Sequence, residues 1–376
     1  MPHAYTPGLK VTDQMLVTRE RILPLKGEVL VKVGDLLQPD DVVAQTHLPG
    51  MVVPVNVAGK LNVAPGDISE LMLKKEGDPI GKGEIIAQTR GFFGRFRTST
   101  ESPIDGTMEN VSSVTGQVLL RGAPQPVQVK AYLRGQVVEV YPNEGVAVRT
   151  WASFVQGIFG IGGETHGELM MACTSPDEIL SEHGITDACR GKVIVGGSLV
   201  TATALEKAIN VGAKGIVVGG FDDQDLRDFL GYDLGVAITG QEDKGITLVV
   251  TEGFGQITMA QRTFDLLRKN EGKLACINGA TQIRAGVIRP EVVIPIDRPI
   301  SDVVPTAHPE TPGLAVGSPV RVIRQPYFGK LGVVTALPPE LQELGSGSQA
   351  RVLEVEFPDN RRAIILRANV EMIEDA

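Results

Sequence analysis

Val33-Gly34-Asp35-Leu36-Leu37-Gln38-Pro39-Asp40-Asp41-Val42-Val43-Ala44-Gln45-Thr46 aligns without a gap to Glu76-Gly77-Asp78-Pro79-Ile80-Gly81-Lys82-Gly83-Glu84-Ile85-Ile86-Ala87-Gln88-Thr89, 43 residues downstream. Each copy is a Gly-Asp corner, a short link carrying Pro or Gly, an acidic residue and an apolar strand closing on Ala-Gln-Thr. Glycine supplies the positive φ of a tight corner and the aspartate bonds the turn backbone, so both copies predict hairpin corners. Further short strands are predicted over 28–33, 106–111 and 136–140. Two copies are too few for a solenoid, and a small closed or sandwiched β-structure is the expectation.

Around this repeat the composition sets bounds. A chain of 376 residues suggests two or three domains at ~150 residues each. The 44 glycines and 24 prolines, against 5% aromatics, predict many turns between short strands. No apolar run approaches the ~18 residues of a membrane helix, and the first ten residues lack the basic-then-apolar layout of a signal peptide. The three cysteines, Cys173, Cys189 and Cys276, form no CxxC pair, so neither a disulfide framework nor a zinc site is expected. The expectation is a reduced, cytoplasmic protein with no membrane partner. Residues 1–150 carry 16 Lys+Arg against 16 Asp+Glu, residues 151–316 carry 13 against 21, and residues 317–376 carry 7 against 8. No segment has the basic balance of a nonspecific nucleic-acid binder, so charge disfavours DNA or RNA as the main partner.

The run Gly77-Asp78, Gly83-Glu84-Ile85-Ile86-Ala87, then Ser102-Pro103-Ile104-Asp105-Gly106-Thr107-Met108-Glu109 resembles the barrel-sandwich hybrid fold of biotinyl and lipoyl carrier domains. That fold is also found in the N-terminal part of RnfC-type electron-transport subunits and in large RNA polymerase subunits. The resemblance covers roughly residues 20–150 and implies a β-rich domain. It does not imply the carrier function, because no lysine sits in a Met-Lys-Met or Asp-Lys-Ala hairpin; Lys74-Lys75 follow Met72-Leu73 where solvated charge belongs. No cofactor is expected. Between two of these strands lies Arg90-Gly91-Phe92-Phe93-Gly94-Arg95-Phe96-Arg97. Two readings stand: a hairpin whose phenylalanines pack locally, or a protruding interaction loop of Phe92, Phe93, Arg95, Phe96 and Arg97. In the second, the neutral charge around the loop favours a subunit contact over nucleic acid.

From Gly191 the pattern changes to strand–helix alternation. Strands are predicted over 192–197, 213–220, 235–239 and 246–250, and helices over 201–209, 222–230 and around Ile257, Ala260, Phe264 and Leu267. This predicts an α/β domain with a parallel or mixed sheet. The repeated Gly-Ile-Val-Val-Gly-Gly wording also resembles swivelling β/β/α domains. Glycines crowd the strand ends, where open α/β sheets bind ligands. The candidate ligand-binding set is therefore Gly196, Gly197, Ser198, Gly219, Gly220, Glu252, Gly253 and Gly255; the alternative is that these glycines only make tight corners. Asp222, Asp223, Glu242, Asp243 and Glu252 would oppose a bare polyphosphate, so a ligand here is either weakly charged or bridged by Mg²⁺. Gly253-Phe254-Gly255 lacks the third glycine of a dinucleotide fingerprint, and nothing matches a phosphate loop. Glu164, His166 and Glu168 would share one face of a strand, with Cys173 and His183 nearby; a satisfied or solvent-facing histidine is favoured over a metal ligand. Asn278 to Arg284 is a polar turn between apolar segments, able to hydrogen-bond a ligand or a neighbouring subunit. No Ser/His/Asp or Cys/His arrangement is legible, so no catalytic residue is assigned.

Residues 301–316 are Pro-rich and aperiodic, a linker. Beyond it, strands are predicted over 320–323, 327–334, 351–357, 362–366 and 370–373. Gly317, Val320, Val322, Phe328-Gly329, Gly332-Val333-Val334 and Val370-Glu371 resemble a KOW motif in an SH3-like barrel, as in the NusG transcription-factor family. Such barrels bind RNA or proteins of the transcription and translation machinery; the acidic loop from Pro338 to Gly347 favours protein docking. The expected fold is thus multidomain α+β: a barrel-sandwich hybrid over 1–150, an acidic α/β domain over 151–300, the linker, and an SH3-like β-barrel over 317–376. The leading functional expectation is a non-catalytic scaffold or assembly subunit whose partners are itself, as a homo-oligomer, or other proteins. A transcription- or translation-associated factor is the second reading, and a ligand-binding protein or enzyme using the glycine-lined strand ends is the third.

Overall fold

The structure is a computed structural model that describes residues 9–90, 97–230, 244–281, 288–300, 314–322, 326–327, 330–343 and 349–372. The fold is β-rich, with several separate sheets and a half-barrel in the C-terminal region. The largest sheet has 13 strands and is organised on one long strand, Gly145–Gln156. Ten of its twelve residues are buried, the mark of a strand covered on both faces. Along one edge it pairs antiparallel with Val11–Ile22, from Val11 opposite Val155 to Ile22 opposite Gly145. Along the other edge its first half pairs with Gly135–Tyr141 and its second half with Glu291–Pro295. The domain boundary expected at 150/151 falls inside this strand.

Beyond Glu291–Pro295 the sheet continues through Leu274–Asn278 and Glu164–Met171 into a parallel block. Glu164–Met171, Val193–Val195, Gly215–Phe221 and Thr247–Phe254 run parallel in that order, and Phe159–Ile161 closes the edge antiparallel. Two helices link these strands where the periodicity predicts them; the third follows Thr247–Phe254 and starts only at Gln261, so Ile257 and Ala260 of the predicted stretch precede it. Ala202–Val211 is capped by Thr201, whose Oγ1 accepts from the Ala204 N–H at 3.2 Å, and ends on Gly212 at φ +85°. Asp223–Leu230 is capped by Asp222, which accepts from the Gln224 and Asp225 N–H groups at 2.8 and 3.2 Å. Gln261–Lys269 buries Phe264, Leu266 and Leu267. The strand predicted over 235–239 lies outside the described residues.

The first third divides into two cores. Leu37, Val43 and Ala44 pack with Leu133, Val148 and Phe154 beneath the long strand. Residues 52–122 form a separate lobe around Val57, Ile68, Ile86, Met108 and Leu120. Its sheet runs Val52–Asn56, Gln117–Gly122, Gly106–Val111, Pro79–Ile80, beside the hairpin of Ile85–Gln88 with Ser99–Glu101. Of the strand predicted over 28–33 only Glu28–Val29 forms, because the chain turns back at Lys32 to Asp35. The C-terminal half-barrel orders its strands Arg362–Leu366, Val352–Glu356, Leu331–Ala336, Pro319–Val322, Val370–Met372, at the five predicted places. Among the described residues no helix is long and apolar enough to cross a membrane.

Candidate functional site

The glycine-rich strand ends do meet. Gly196, Gly197 and Ser198 follow Val193–Val195, Gly219 and Gly220 lie in the adjacent strand, and Gly220 stands opposite Gly253 in the next. Their backbone donors are used within the chain: Gly196 N–H reaches Val217 O at 2.9 Å, Gly219 N–H reaches Gly197 O at 2.8 Å, and Gly255 N–H reaches Phe221 O at 2.9 Å. Ser198 is buried; its N–H bonds Glu178 O at 2.8 Å and its hydroxyl bonds Asp177 O at 2.7 Å. A Cβ on Gly219 would lie 2.4 Å from Ile257 O, and one on Gly220 would lie 1.9 Å from Gly255 O. Glycine is required here because neighbouring segments cross directly over the strand ends. Beneath this junction burial pushes the Cys173 thiol up to about 11, with Glu178 adding to the effect and the Gly197 N–H opposing it.

Glu252, the one acidic member of the set, is buried at 7% side-chain exposure and forms an ion pair with Arg321 of the half-barrel, itself at 4%. Its other oxygen accepts from the Ala260 N–H at 3.0 Å, and Arg321 Nη1 donates to Thr251 O at 3.2 Å. This carboxylate therefore joins the half-barrel to the parallel sheet. Its partner lies 69 residues away, so no local motif announces it.

Glu164, His166 and Glu168 share a strand face, and each meets a cation or carboxylate from a different part of the chain. Arg21 holds Glu164 through two bonds of 2.6 Å, His166 Nε2 lies 3.3 Å from Asp40, and Lys192 Nζ lies 2.8 Å from Glu168. Lys130, hydrogen-bonded to Asp40 at 2.7 Å, holds that carboxyl below its ordinary value, and His166 adds to this. Next to this row, buried Glu291 accepts from Arg19 Nε at 2.9 Å and from the Tyr132 hydroxyl at 3.1 Å. Tyr132 sits at φ +65°, a backbone region costly for an aromatic residue, and burial raises its phenol well above the usual value. Burial likewise pushes the Cys276 thiol up to about 12. Asn278 and Thr281 are engaged within the chain: Asn278 Oδ1 accepts from Ala280 N–H in its own turn, and Thr281 Oγ1 accepts from Gly160 N–H of the distant Phe159–Ile161 strand, both at 2.9 Å. Phe92, Phe93, Arg95 and Phe96 lie outside the described residues, and Arg97 is exposed.

The sequence reading passed over one cavity. A cleft of about 640 Å³ opens beside the Leu36–Leu37 strand, lined by Arg134, Arg149 and Arg298 together with Gln38, Gln136 and Asp297. Its arginines come from three separate segments and share no spacing that a motif search could find. No protein-family model matches the chain, and no curated protein matches it.

Proposed function

We propose that this chain is a non-catalytic cytoplasmic scaffold or assembly subunit that acts through protein–protein contacts, first with a second copy of itself. In this reading the first third is a barrel-sandwich hybrid, the middle an α/β domain, and residues 317–376 an SH3-like barrel of the KOW type used for docking. The observation that carries it is the apolar surface of the first repeat copy: Val33 is 60% exposed and Leu36 is 81% exposed. The aligned positions of the second copy are Glu76 and Pro79. Leu36 also lies on a strand at the end of the large sheet's order, where unpaired edges invite another chain. A second copy suits this face because residues 1–150 balance 16 positive against 16 negative side chains, so two such surfaces meet without net repulsion.

Protein is favoured over RNA for the half-barrel by the engagement of four of its described cations. Arg321 is paired with Glu252, Arg361 with Asp359, and Arg362 with Glu354 and Glu356. Arg367 donates to the carbonyls of Val352 and Pro338 at 3.0 and 2.7 Å. Sedimentation velocity of the full chain tests the proposal: a dimer or larger assembly is expected, shifted toward monomer by Val33→Glu with Leu36→Glu. A wild-type monomer at high micromolar concentration overturns it. Submicromolar, salt-sensitive RNA binding by the full chain would put the transcription or translation reading ahead.

A further inference from the structure

We infer that the cleft beside Leu36 is the receiving half of the self-contact: Leu36 of one copy seats in the cleft of a second copy, where the adjoining Asp35 meets Arg149. The inference rests on the self-association proposed above and goes beyond it by naming the surface that receives the exposed leucine.

The projecting side chain and the hollow lie side by side. Leu36 is 81% exposed and stands at the rim of a cleft of about 640 Å³, whose lining it shares. One row of that lining crosses the sheet: Leu36 stands opposite Gln136, and Gln136 opposite Arg149, so the three side chains share a face. Leu37, Ile296, Pro299 and Ile300 add apolar lining. A protruding leucine beside its own hollow is self-complementary under a two-fold axis, because each copy fills the other and both contacts form together.

The polar groups fit the same occupant. Arg134 already meets Asp297 at 2.8 Å, and Arg298 lies over the Trp151 ring at 4.2 Å and donates to Gln14 Oε1 at 3.3 Å. These two arginines are engaged within the chain and shape the cleft. Arg149 is engaged at Nε, which donates to Thr18 Oγ1 at 2.9 Å; among the described residues neither of its Nη nitrogens has a protein acceptor. On the other side of the contact, residues 33–41 carry three aspartates and no cation. Asp40 is held by Lys130 at 2.7 Å, and Asp41 accepts from the Gln38 N–H at 2.7 Å. Asp35, next to Leu36, accepts from the Lys32 N–H at 3.0 Å, and among the described residues no cation pairs with it. The group left open beside the leucine is thus a carboxylate, and the group left open in the cleft is a guanidinium fork that matches it.

The test is sedimentation velocity of two full-length charge variants, Asp35→Arg and Arg149→Asp. Alone, each sets like charges together at both contacts of a dimer, and self-association about tenfold weaker or worse is expected. Mixed in equal amounts, the two variants face each other with opposite charges at both contacts, so the mixture is expected to recover wild-type association. Dimers that persist in both single variants, or folded variants that stay monomeric when mixed, overturn the inference. Should Asp35→Arg unfold through loss of its corner bond, proximity is read instead by a short bismaleimide joining a Leu36→Cys chain to a differently tagged Ile300→Cys chain. Cys173, Cys189 and Cys276 are buried and stay out of that reaction. A product joining the two tags is expected, and its absence while the chains still assemble overturns the seat. The two possible failures are distinguishable. A wild-type monomer removes the self-association reading itself, whereas a dimer broken by Val33→Glu with Leu36→Glu but indifferent to Arg149→Asp removes only the cleft.

Discussion

The corner at Lys32–Asp35 and the corner at Lys75–Asp78 are built from the same bonds. In the first, Lys32 N–H donates to the Asp35 carboxylate at 3.0 Å and Asp35 N–H to Lys32 O at 3.1 Å; in the second the distances are 2.7 and 3.0 Å. Gly34 and Gly77 take φ of +97° and +90°. The next corners agree as well, with Gln38 N–H on the Asp41 carboxylate at 2.7 Å and Gly81 N–H on that of Glu84 at 2.8 Å. Their surroundings differ. Leu37 packs into the core under the long strand and Ile80, its counterpart, into the separate lobe. Asp40 replaces Gly83 and reaches out to Lys130 and His166. Turn chemistry is thus written within a few residues, whereas the partner of a strand is set by apolar surface supplied from far along the chain.

The strongest way to break this comparison is to cut the matched core residues. Leu37→Ala and Ile80→Ala are each expected to cost about 2–5 kcal/mol. By hydrogen exchange, the first should deprotect Val11–Ile22 and Gly145–Gln156, and the second only the strands within 52–122. Deprotection of both regions by either variant would mean that the two copies share one cooperative unit. A smaller effect sharpens the likeness: Gly34→Ala and Gly77→Ala place a side chain in the left-handed region with open space around it, so each should cost about 1 kcal/mol, and by similar amounts. Unequal losses in denaturant melts would show that the corners are not equivalent.

The smallest effect concerns Asp40. Its carboxyl is held below the ordinary value, first by Lys130, so the charged form adds stability above the unfolded-state pKa near ~4 and loses it as the pH falls through the folded value. Asp40→Asn should cost about 0.2–1 kcal/mol at neutral pH, discounted for exposure. The difference from wild type should vanish in acid, and a difference that grows in acid would contradict the pairing.

Local signals made the corners, the helices between parallel strands and the five C-terminal strands legible in the sequence. Thr201 and Gly212 bound their helix as caps do, and alternation marked Val352–Glu356. The large sheet was not legible, because Val11 pairs with Val155 and Ala152 with Pro295, contacts that no window of sequence contains. The shared face of Glu164, His166 and Glu168 could be read from strand period, but their partners Arg21, Asp40 and Lys192 come from three other segments. The glycines at the strand ends could be read from the sequence, whereas the segments lying across them and the Arg321–Glu252 pair were not foreseeable. The arginine-lined cleft combines residues as distant as Arg134 and Arg298, and only the fold assembles them.

Gly50 and Gly122 mark where the chain enters and leaves the lobe of residues 52–122. Gly122 N–H bonds Met51 O at 2.9 Å, and a Cβ on Gly50 would lie 1.8 Å from Gly122 O. A segment whose ends touch behaves as a cassette: it can be removed by joining its two ends, or exchanged for another, without shifting the strands on either side. The chain from Val11 to Pro295 would then keep its long central strand as a beam, while the cassette varies at little cost to what carries it. Half of the sequence repeat belongs to the beam and half to the cassette, so one kind of corner serves both the part that carries and the part that is carried.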